Sequence, residues 1–267
     1  MPKLEQPITY PIKKIVQENN LVKTFYFDLD LKARPGQFIM FWLPGVNQKP
    51  FGVAYQQKGV TGITICKVGP TTEQIFQLKP GDYVGLQGPY GTHFQTGGTK
   101  TIILVAGGYG AAPLSFLADT LTDREVHFII GAQTKDKLIF ADRLKKTGAN
   151  LHQCTDDGSC GFKGFTTAKL ELVLKEVKAD LVCAVGPEIM MNKVMEICDQ
   201  QKIDCQISLE RYIKCGFGLC GQCVVDPLGI RMCKEGPVLS ADLVKKITEF
   251  GQYHRDASGQ KIYFKKG

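Results

Sequence analysis

Long apolar runs are absent from this 267-residue sequence. None approaches the ~20 apolar residues that a membrane-spanning helix needs, so we expect no membrane span. The first seven residues also lack the apolar core of a secretory signal. On these grounds we expect a cytoplasmic protein.

Histidine is scarce, with four in the chain, and none is spaced as part of a metal site or a nucleophilic triad. Side-chain catalysis of the Ser-His-Asp or Cys-His type is therefore not expected, and a cofactor must supply the chemistry. The net charge is +7, but the basic residues are dispersed and not interleaved with aromatics. We therefore expect phosphate-bearing ligands or a solvated surface, and no nucleic acid. A hydrophobic fraction of 43% excludes disorder as the main state.

Cysteine is abundant, with ten residues, of which four lie within 19 positions as Cys215-x4-Cys220-x2-Cys223-x9-Cys233. Without a secretory signal, reduced thiols or metal ligands are expected rather than disulfides. The x4-x2 spacing and the intervening glycines are typical of a plant-type [2Fe–2S] cluster. A four-cysteine structural zinc site is the alternative, but such sites usually show two Cys-x-x-Cys pairs.

The pattern of apolar residues divides the chain into three parts. Residues 8–97 contain five or six short β-branched and aromatic runs bounded by Pro and Gly, which predict an antiparallel β-barrel. From residue 98, apolar strands alternate with amphipathic helices, which predicts a doubly wound parallel sheet. A further helix is predicted over 241–250. We therefore expect a multidomain β plus α/β protein with a barrel at 1–97, an α/β domain at 98–208 and a small cysteine-bearing module at 209–267.

Three loops of the α/β domain follow predicted strands, at the sheet edge where ligands bind. The glycine-rich loop Gly107–Pro113 opens a helix and suits a pyrophosphate, although it lacks the third glycine of the Rossmann fingerprint. Each loop alone is also compatible with an ordinary turn, and together they predict a dinucleotide site. Its candidate residues are Gly107, Gly108, Gly110, Pro113, Asp157, Gly186, Pro187 and Met190.

Two barrel segments place a lysine beside exposed backbone N–H groups. The first is Lys49-Pro50-Phe51-Gly52-Val53, and the second is Lys67-Val68-Gly69-Pro70-Thr71-Thr72, which also opens a short helix suited to a diphosphate. By spacing alone, hairpin turns explain both segments at least as well.

The order of these parts resembles the ferredoxin-reductase-like flavoproteins, in which an FAD-binding barrel precedes a nicotinamide domain. The tail Ser208-Leu209-Glu210-Arg211, the four cysteines and Cys233-Lys234-Glu235-Gly236-Pro237-Val238 are similar to the electron-transfer subunit of class 1B dihydroorotate dehydrogenase. Gly107-Gly108-x-Gly110 and Asp156-Asp157-Gly158-Ser159 match that family too, as does Gly88-Pro89-x-Gly91 with Phe94.

The resemblance implies an oxidoreductase subunit in pyrimidine (UMP) biosynthesis. A partner subunit with FMN would oxidise dihydroorotate and pass electrons through a [2Fe–2S] cluster on Cys215, Cys220, Cys223 and Cys233 to FAD, and from there to NAD⁺. The implied assembly is a heterotetramer of two plus two chains. FAD would contact Lys49, Pro50, Phe51, Gly52, Val53, Ile65, Cys66, Lys67, Gly69, Thr71 and Thr72, while NAD would lie over Gly107–Pro113 and Gly186–Met190.

Three positions depart from the family pattern. Lys49 and Gly52 stand where the flavin motif Arg-Pro-x-Ser has arginine and serine, so a bidentate fork and a hydroxyl are missing. Val185 stands where relatives have a cysteine beside the nicotinamide. The same architecture also serves the small subunits of NADH-dependent ferredoxin:NADP oxidoreductase, sulfhydrogenase and anaerobic sulfite reductase, which are the alternative assignment. A zinc-stabilised binding module without flavin is the alternative of another class.

Overall fold

The structure is a computed structural model that describes residues 6–264. The prediction that the chain has no secretory signal depends mostly on residues 1–5, which lie outside the described residues, as do residues 265–267. Within residues 6–264, no helix is long and apolar enough to cross a membrane.

The N-terminal part forms one antiparallel sheet of seven strands in the spatial order β1-β7-β4-β5-β6-β3-β2. Because β1 and β2 follow one another in the chain but lie at opposite ends of this order, the sheet curls into a barrel-like shape. The interior is filled by aromatic side chains that include Phe25, Phe27 and Phe41, all fully buried. Its elements are β1 (Ile8–Pro11), β2 (Lys14–Asn19), β3 (Val22–Asp28), β4 (Phe38–Leu43), β5 (Asn47–Gln57), β6 (Val60–Cys66), helix α1 (Pro70–Ile75) and β7 (Tyr83–Tyr90).

The second sheet also has seven strands, six of them parallel, in the order β11-β10-β9-β8-β12-β13-β16. Along β8, Ile103 and Val105 enter one core while Ile102 and Leu104 enter another, because alternate side chains face opposite sides. Both faces are therefore covered by helices, as a doubly wound sheet requires. Its elements are β8 (Thr101–Gly107), α2 (Ala111–Thr120), β9 (Glu125–Ala132), α3 (Ala141–Lys145), β10 (Asn150–Thr155), β11 (Phe162–Lys163), α4 (Thr166–Glu176), β12 (Leu181–Val185), α5 (Glu188–Gln201) and β13 (Asp204–Ser208).

The C-terminal segment packs on this sheet as well as beyond it. Its strand β16 pairs antiparallel with β13, so residues after 208 extend the parallel sheet by one strand. The division at 97 and 208 stays a prediction, and the pairing indicates that the third part does not move independently of the second. The remaining elements are β14 (Val224–Val225), β15 (Ile230–Arg231), β16 (Val238–Ser240), α6 (Ala241–Val244), β17 (Tyr253–Arg255) and β18 (Lys261–Tyr263).

The helix predicted over 241–250 is shorter than expected, since α6 ends at Val244. Beyond it, Ile247 N donates to Val244 O, three residues back, and Thr248 N donates to Asp226 O at 3.2 Å instead of to a helical carbonyl. A hydrogen bond to a distant segment thus replaces the backbone hydrogen bond that would continue the helix.

Candidate functional site

The sheet reverses its strand order between β8 and β12, which lie side by side while the chain winds outwards from each in opposite directions. Ligands of open α/β sheets bind in the crevice outside such a point, at the carboxyl ends of the strands. The loops found there are Gly107–Gly110 after β8 and Gly186–Pro187 before α5. The structure therefore brings two of the three predicted dinucleotide loops together.

Close packing between these two loops accounts for several of their glycines. A Cβ built on Gly110 would lie 2.3 Å from the carbonyl oxygen of Val185, and one on Gly107 would lie 2.9 Å from Sδ of Met190. Gly110 is therefore required by protein packing, whether or not a pyrophosphate approaches it. Gly108 differs, because its φ is +55° and a Cβ there would meet nothing within 4 Å. Of these three glycines, Gly108 is the one that leaves open space for a ligand.

The third predicted loop, Asp156–Ser159, lies two strands away from the reversal, after β10. It is tied to the loop after β9: Lys135 N donates to Ser159 Oγ at 2.9 Å, and Asp157 N donates to Gln133 O at 3.3 Å. Hydrogen bonds from Ser159 to the Asp157 carboxylate lower the pKa of that carboxyl. The structure thus gives Asp157 a local turn-forming role two strands from the reversal, and its contact with a dinucleotide stays a prediction.

The barrel segment Lys49–Val53 lies on β5, where that strand meets the first turn of α2. A Cβ on Gly52 would sit 3.8 Å from Cβ of Pro113, an ordinary contact, so the predicted flavin strand directly faces the helix that follows the glycine-rich loop. Val53 is fully buried and its N–H donates to Gln37 O at 3.0 Å. Lys49 Nζ lies 5.1 Å from the ring centroid of Tyr212 in the C-terminal segment.

The second barrel segment folds into a compact turn before α1. Thr72 Oγ1 accepts hydrogen bonds from Val68 N at 2.9 Å and Gly69 N at 3.0 Å, and donates to Gly69 O at 2.9 Å. This hydroxyl therefore stabilises the turn itself. Thr71 is less engaged, with only a 3.5 Å contact from Asn47 Nδ2. Ile65 is fully buried in the barrel core, whereas Cys66 is the last residue of β6 and Lys67 follows it.

Tyr109, Cys66 and Glu210 come from three separate segments and interact electrostatically. The Glu210 carboxylate, with burial and Cys66, raises the pKa of Tyr109 to about 12. Burial and the same carboxylate raise the pKa of the Cys66 thiol. Tyr109 is 51% exposed. Sequence reasoning singled out Cys66 but missed Tyr109, and it quoted Glu210 only as part of a motif, because no spacing links the three.

The four clustered cysteines form two pairs. Cys220 N donates to Cys215 Sγ at 3.5 Å, and Cys233 N donates to Cys223 Sγ at 3.4 Å. Cys223 and Cys233 are buried, while Cys220 is exposed. Among residues 6–264, no three side chains of His, Cys, Asp or Glu are gathered closely enough to form a metal site as they stand.

The chemistry of these thiols nevertheless fits a cluster. Burial raises the pKa of Cys215, but N–H groups of Cys220, Phe217 and Leu219 outweigh it and bring the value down to about 7. The Cys233 thiol and backbone N–H groups lower the pKa of Cys223 to about 6, and the same partnership raises that of Cys233. Thiolates are the ligands of iron–sulfur clusters, so backbone donors that favour the thiolate prepare the site.

The cysteine-bearing loop lies against the barrel close to the predicted flavin strand. A Cβ on Gly216 would lie 2.7 Å from Cγ of Met40, and Phe217 packs against Tyr90 with ring centroids 6.4 Å apart. Met40 on β4 is paired with Pro50 on β5. The loop that begins at Cys215 therefore contacts β4, which is the direct neighbour of the strand that carries Lys49–Gly52.

Comparison with known proteins gives the class first. Residues 210–245 match the model of the iron-sulfur cluster binding domain of dihydroorotate dehydrogenase B. The structure matches that of an NADH-dependent reduced ferredoxin-NADP oxidoreductase with a TM-score of 0.80 and 29% identity, over 92% of this chain and 95% of the other. It matches the ferredoxin reductase of carbazole 1,9a-dioxygenase with a TM-score of 0.66 and 19% identity, over 74% and 66% of the two chains. The chain is thus ferredoxin-reductase-like with an added iron–sulfur domain.

Similarity over the full sequence is more specific. The chain is 49% identical to the probable dihydroorotate dehydrogenase B (NAD⁺) electron transfer subunit of Methanocaldococcus jannaschii, over 98% of this chain and 100% of that protein. It is 44% identical to the subunit of the same name from Methanothermobacter thermautotrophicus, over 98% and 99%. The chain belongs to this family of electron transfer subunits.

Membership confirms the expected fold, the expected family and the expected role as an electron-transfer subunit of an oxidoreductase, which works with a catalytic partner subunit. The expected cofactors, FAD, an iron–sulfur cluster and NAD, agree with the family and the fold. The zinc alternative is disfavoured by the iron-sulfur domain model. The ferredoxin:NADP oxidoreductase alternative corresponds to a related structure.

Proposed function

We propose that this chain carries electrons from a dihydroorotate-oxidising, FMN-containing subunit to NAD⁺, in an assembly of two plus two chains. The [2Fe–2S] cluster would be held by Cys215, Cys220, Cys223 and Cys233. FAD would lie along Lys49–Val53, Ile65–Lys67, Gly69, Thr71 and Thr72. NAD(H) would bind over Gly107, Gly108, Gly110, Pro113, Gly186, Pro187 and Met190, with Asp157 further along the same sheet edge. The cytoplasmic location stays a prediction.

The proximity of the cysteine loop to the flavin strand is the observation that carries this proposal. Gly216 abuts Met40, and Met40 pairs with Pro50. Tyr212 lies over Lys49, so two residues of the segment that leads into the cluster touch the barrel at the flavin motif. Between a one-electron centre and a two-electron nucleotide, FAD supplies the exchange between single electrons and a hydride.

Two contacts support this order of the sites. Gly52 faces Pro113 at the start of α2, so the proposed flavin strand packs next to the helix that follows the proposed nucleotide loop. The cysteine loop approaches the same strand from the side of β4. An electron that enters at the exposed Cys220 end would thus pass from the cysteine loop to the flavin strand and from there to the nucleotide loop.

The test uses the full chain with its catalytic subunit and compares Cys220→Ser with Cys160→Ser. Cys160 is a matched control, because it lies outside the four-cysteine segment. Cys220→Ser should lose the cluster's iron and visible absorption, and dihydroorotate-dependent NAD⁺ reduction should fall at least ~100-fold because a ligand thiolate is missing. Flavin content and reduction of FAD by NADH should persist, since other residues form that site.

Two results would contradict the proposal. Unchanged iron content in Cys220→Ser would remove the cluster assignment. A wild-type chain that takes electrons from reduced ferredoxin, but not from dihydroorotate with the catalytic subunit, would favour the alternative oxidoreductase.

A further inference from the structure

A buried ionic cluster lies between the nucleotide loop and the cysteine-bearing segment. Arg211 Nε donates to Glu249 Oε1 at 2.6 Å, and Arg211 Nη1 donates to Glu188 Oε1 and to Glu210 O. The side chain of Arg211 is 4% exposed and that of Glu249 is 1% exposed. None of these side chains was predicted to contact a cofactor, although Glu188 lies within the Gly186–Met190 segment assigned to NAD(H).

The charged groups of this cluster are costly to bury. Arg255 Nε lies 3.9 Å from Glu249 Oε2 and Arg255 Nη2 donates to Asp226 Oδ2 at 2.8 Å, so two guanidinium groups face the carboxylates of Glu188, Glu249 and Asp226. Desolvation of such groups cancels much of their mutual attraction, and apolar residues of similar volume often stabilise a fold as well. The cluster is therefore better explained by the exact placement of the segments that it joins than by a gain in stability.

The segments that it joins are those of the proposed function. Glu188 is the first residue of α5 and directly follows Gly186-Pro187, the loop assigned to NAD(H). Its second oxygen accepts from Gly251 N at 2.6 Å. Arg211 stands four residues before Cys215 and next to Glu210, which acts on Tyr109. The Arg211 guanidinium thus contacts Glu188 beside the nucleotide loop, the Glu210 carbonyl in the cysteine-bearing segment and Glu249 near the C-terminus.

We propose that Arg211 is a positioning residue that couples nucleotide binding at the Gly186–Met190 loop to the placement of the cysteine-bearing segment, through Glu188. This inference rests on the proposed NAD(H) site. A nucleotide that fixes the loop also fixes Glu188 and so Arg211. By reciprocity, a segment held by Arg211 favours the loop conformation that binds nucleotide.

The test variant is Glu188→Gln in the holoprotein, which keeps the side chain's size but removes its charge and one acceptor. Arg211 keeps Glu249 as a buried counter-charge, so the fold should persist. Glu196→Gln is the matched control, since it makes the same change on the same helix at an exposed pair with Lys193. Hydrogen–deuterium exchange of residues 209–216 is measured with and without NAD⁺, together with the Kd for NAD⁺.

In wild type and Glu196→Gln, NAD⁺ should slow exchange over 209–216. In Glu188→Gln, exchange over these residues should be faster without nucleotide, the protection by NAD⁺ should be lost, and the Kd should rise about tenfold, within the usual range of coupling between sites. Arg211→Lys, which keeps the buried positive charge but cannot span both carboxylates, should behave in the same way.

Exchange and Kd values in Glu188→Gln that equal those of wild type would overturn the coupling while leaving the proposed function intact. A wild-type holoprotein that binds no NAD⁺ would overturn the proposed nucleotide site, and the coupling with it. Exchange measured without nucleotide would then still show whether Glu188 holds the cysteine-bearing segment.

Discussion

Gly108 and Gly110 lie two residues apart in one turn, yet their surroundings differ. The space beside Gly110 is taken by the Val185 carbonyl, whereas the space beside Gly108 is open. From sequence, both glycines fit a phosphate-binding turn equally well, because the neighbour that distinguishes them belongs to a strand about 75 residues further along the chain. Only the fold shows that Gly110 packs tightly against protein and that Gly108 borders open space.

This difference leads to opposite outcomes on substitution. Gly108→Asn, a residue that tolerates a left-handed backbone, should weaken NADH binding at least ~10-fold with little loss of stability, because its side chain enters the open space. Gly110→Ala should lower the free energy of unfolding by about 1–3 kcal/mol even without nucleotide, because its Cβ overlaps a carbonyl. NADH titration and urea unfolding measure the two effects. Wild-type NADH affinity in Gly108→Asn would remove the turn from the nucleotide site.

Local spacing revealed some residues of the site and not others. The four cysteines could be proposed as cluster ligands because a cluster constrains spacing within one segment. Arg211 was not, since its acidic partners lie 23 and 38 residues away in sequence. Asp157 was expected at the dinucleotide site from its position after a strand, but which strands neighbour the reversal point depends on the sheet order.

Strands and helices of the second sheet were predictable where the apolar pattern is strong. β12 (Leu181–Val185) and α5 (Glu188–Gln201) fit the predicted alternation of apolar strands and amphipathic helices. The prediction of a helix over 241–250 was too long, because tertiary contacts replace the backbone hydrogen bonds that would continue α6. Thr248 N bonds to Asp226, and Glu249 is drawn to Arg211. The apolar pattern alone carries no information about such partners.

Strands β9 and β10 place two histidines side by side, which sequence spacing did not show. The rings of His127 and His152 are stacked at 5.4 Å and 8°, with His127 Nδ1 3.1 Å from His152 Nε2. Glu125 on β9 lies 3.1 Å from the other nitrogen of His127. Burial, then Lys169 on α4 and His127, lowers the pKa of His152, against a smaller opposing effect of Glu176.

The stack should make stability fall as the medium is acidified below neutrality. A histidine with a lowered pKa in the fold binds fewer protons when folded than when unfolded, so the free energy of unfolding decreases as pH falls through the ordinary histidine range near 6.5. His152→Gln should flatten this dependence. Urea unfolding at about pH 7.5 and about pH 5.5 measures it. An equal loss of stability in wild type and variant would exclude the stack as its source.

At the scale of the whole molecule, one side of the cysteine segment packs against the other two parts and its other side is exposed to solvent. Its inner side rests on Met40 and Tyr90 of the barrel, and β16 extends the nucleotide-binding sheet. Its outer side exposes Cys220 and the apolar side chain of Leu219, which is 74% exposed. If Cys220 holds the cluster as proposed, this surface is where electrons from the catalytic subunit would enter.

We therefore expect the catalytic subunit to cover Leu219. Leu219→Glu should weaken association of the two subunits at least ~10-fold, because a charge would be buried in a contact that now accepts an apolar side chain. The variant's own NADH oxidation with an artificial acceptor should stay at the wild-type rate, since the nucleotide and flavin sites are untouched. Phe165→Glu is the control, as Phe165 is 69% exposed on the second sheet's domain, before α4. Sedimentation of mixed subunits measures association, and equal affinity for Leu219→Glu and wild type would move the docking surface away from the cysteine loop.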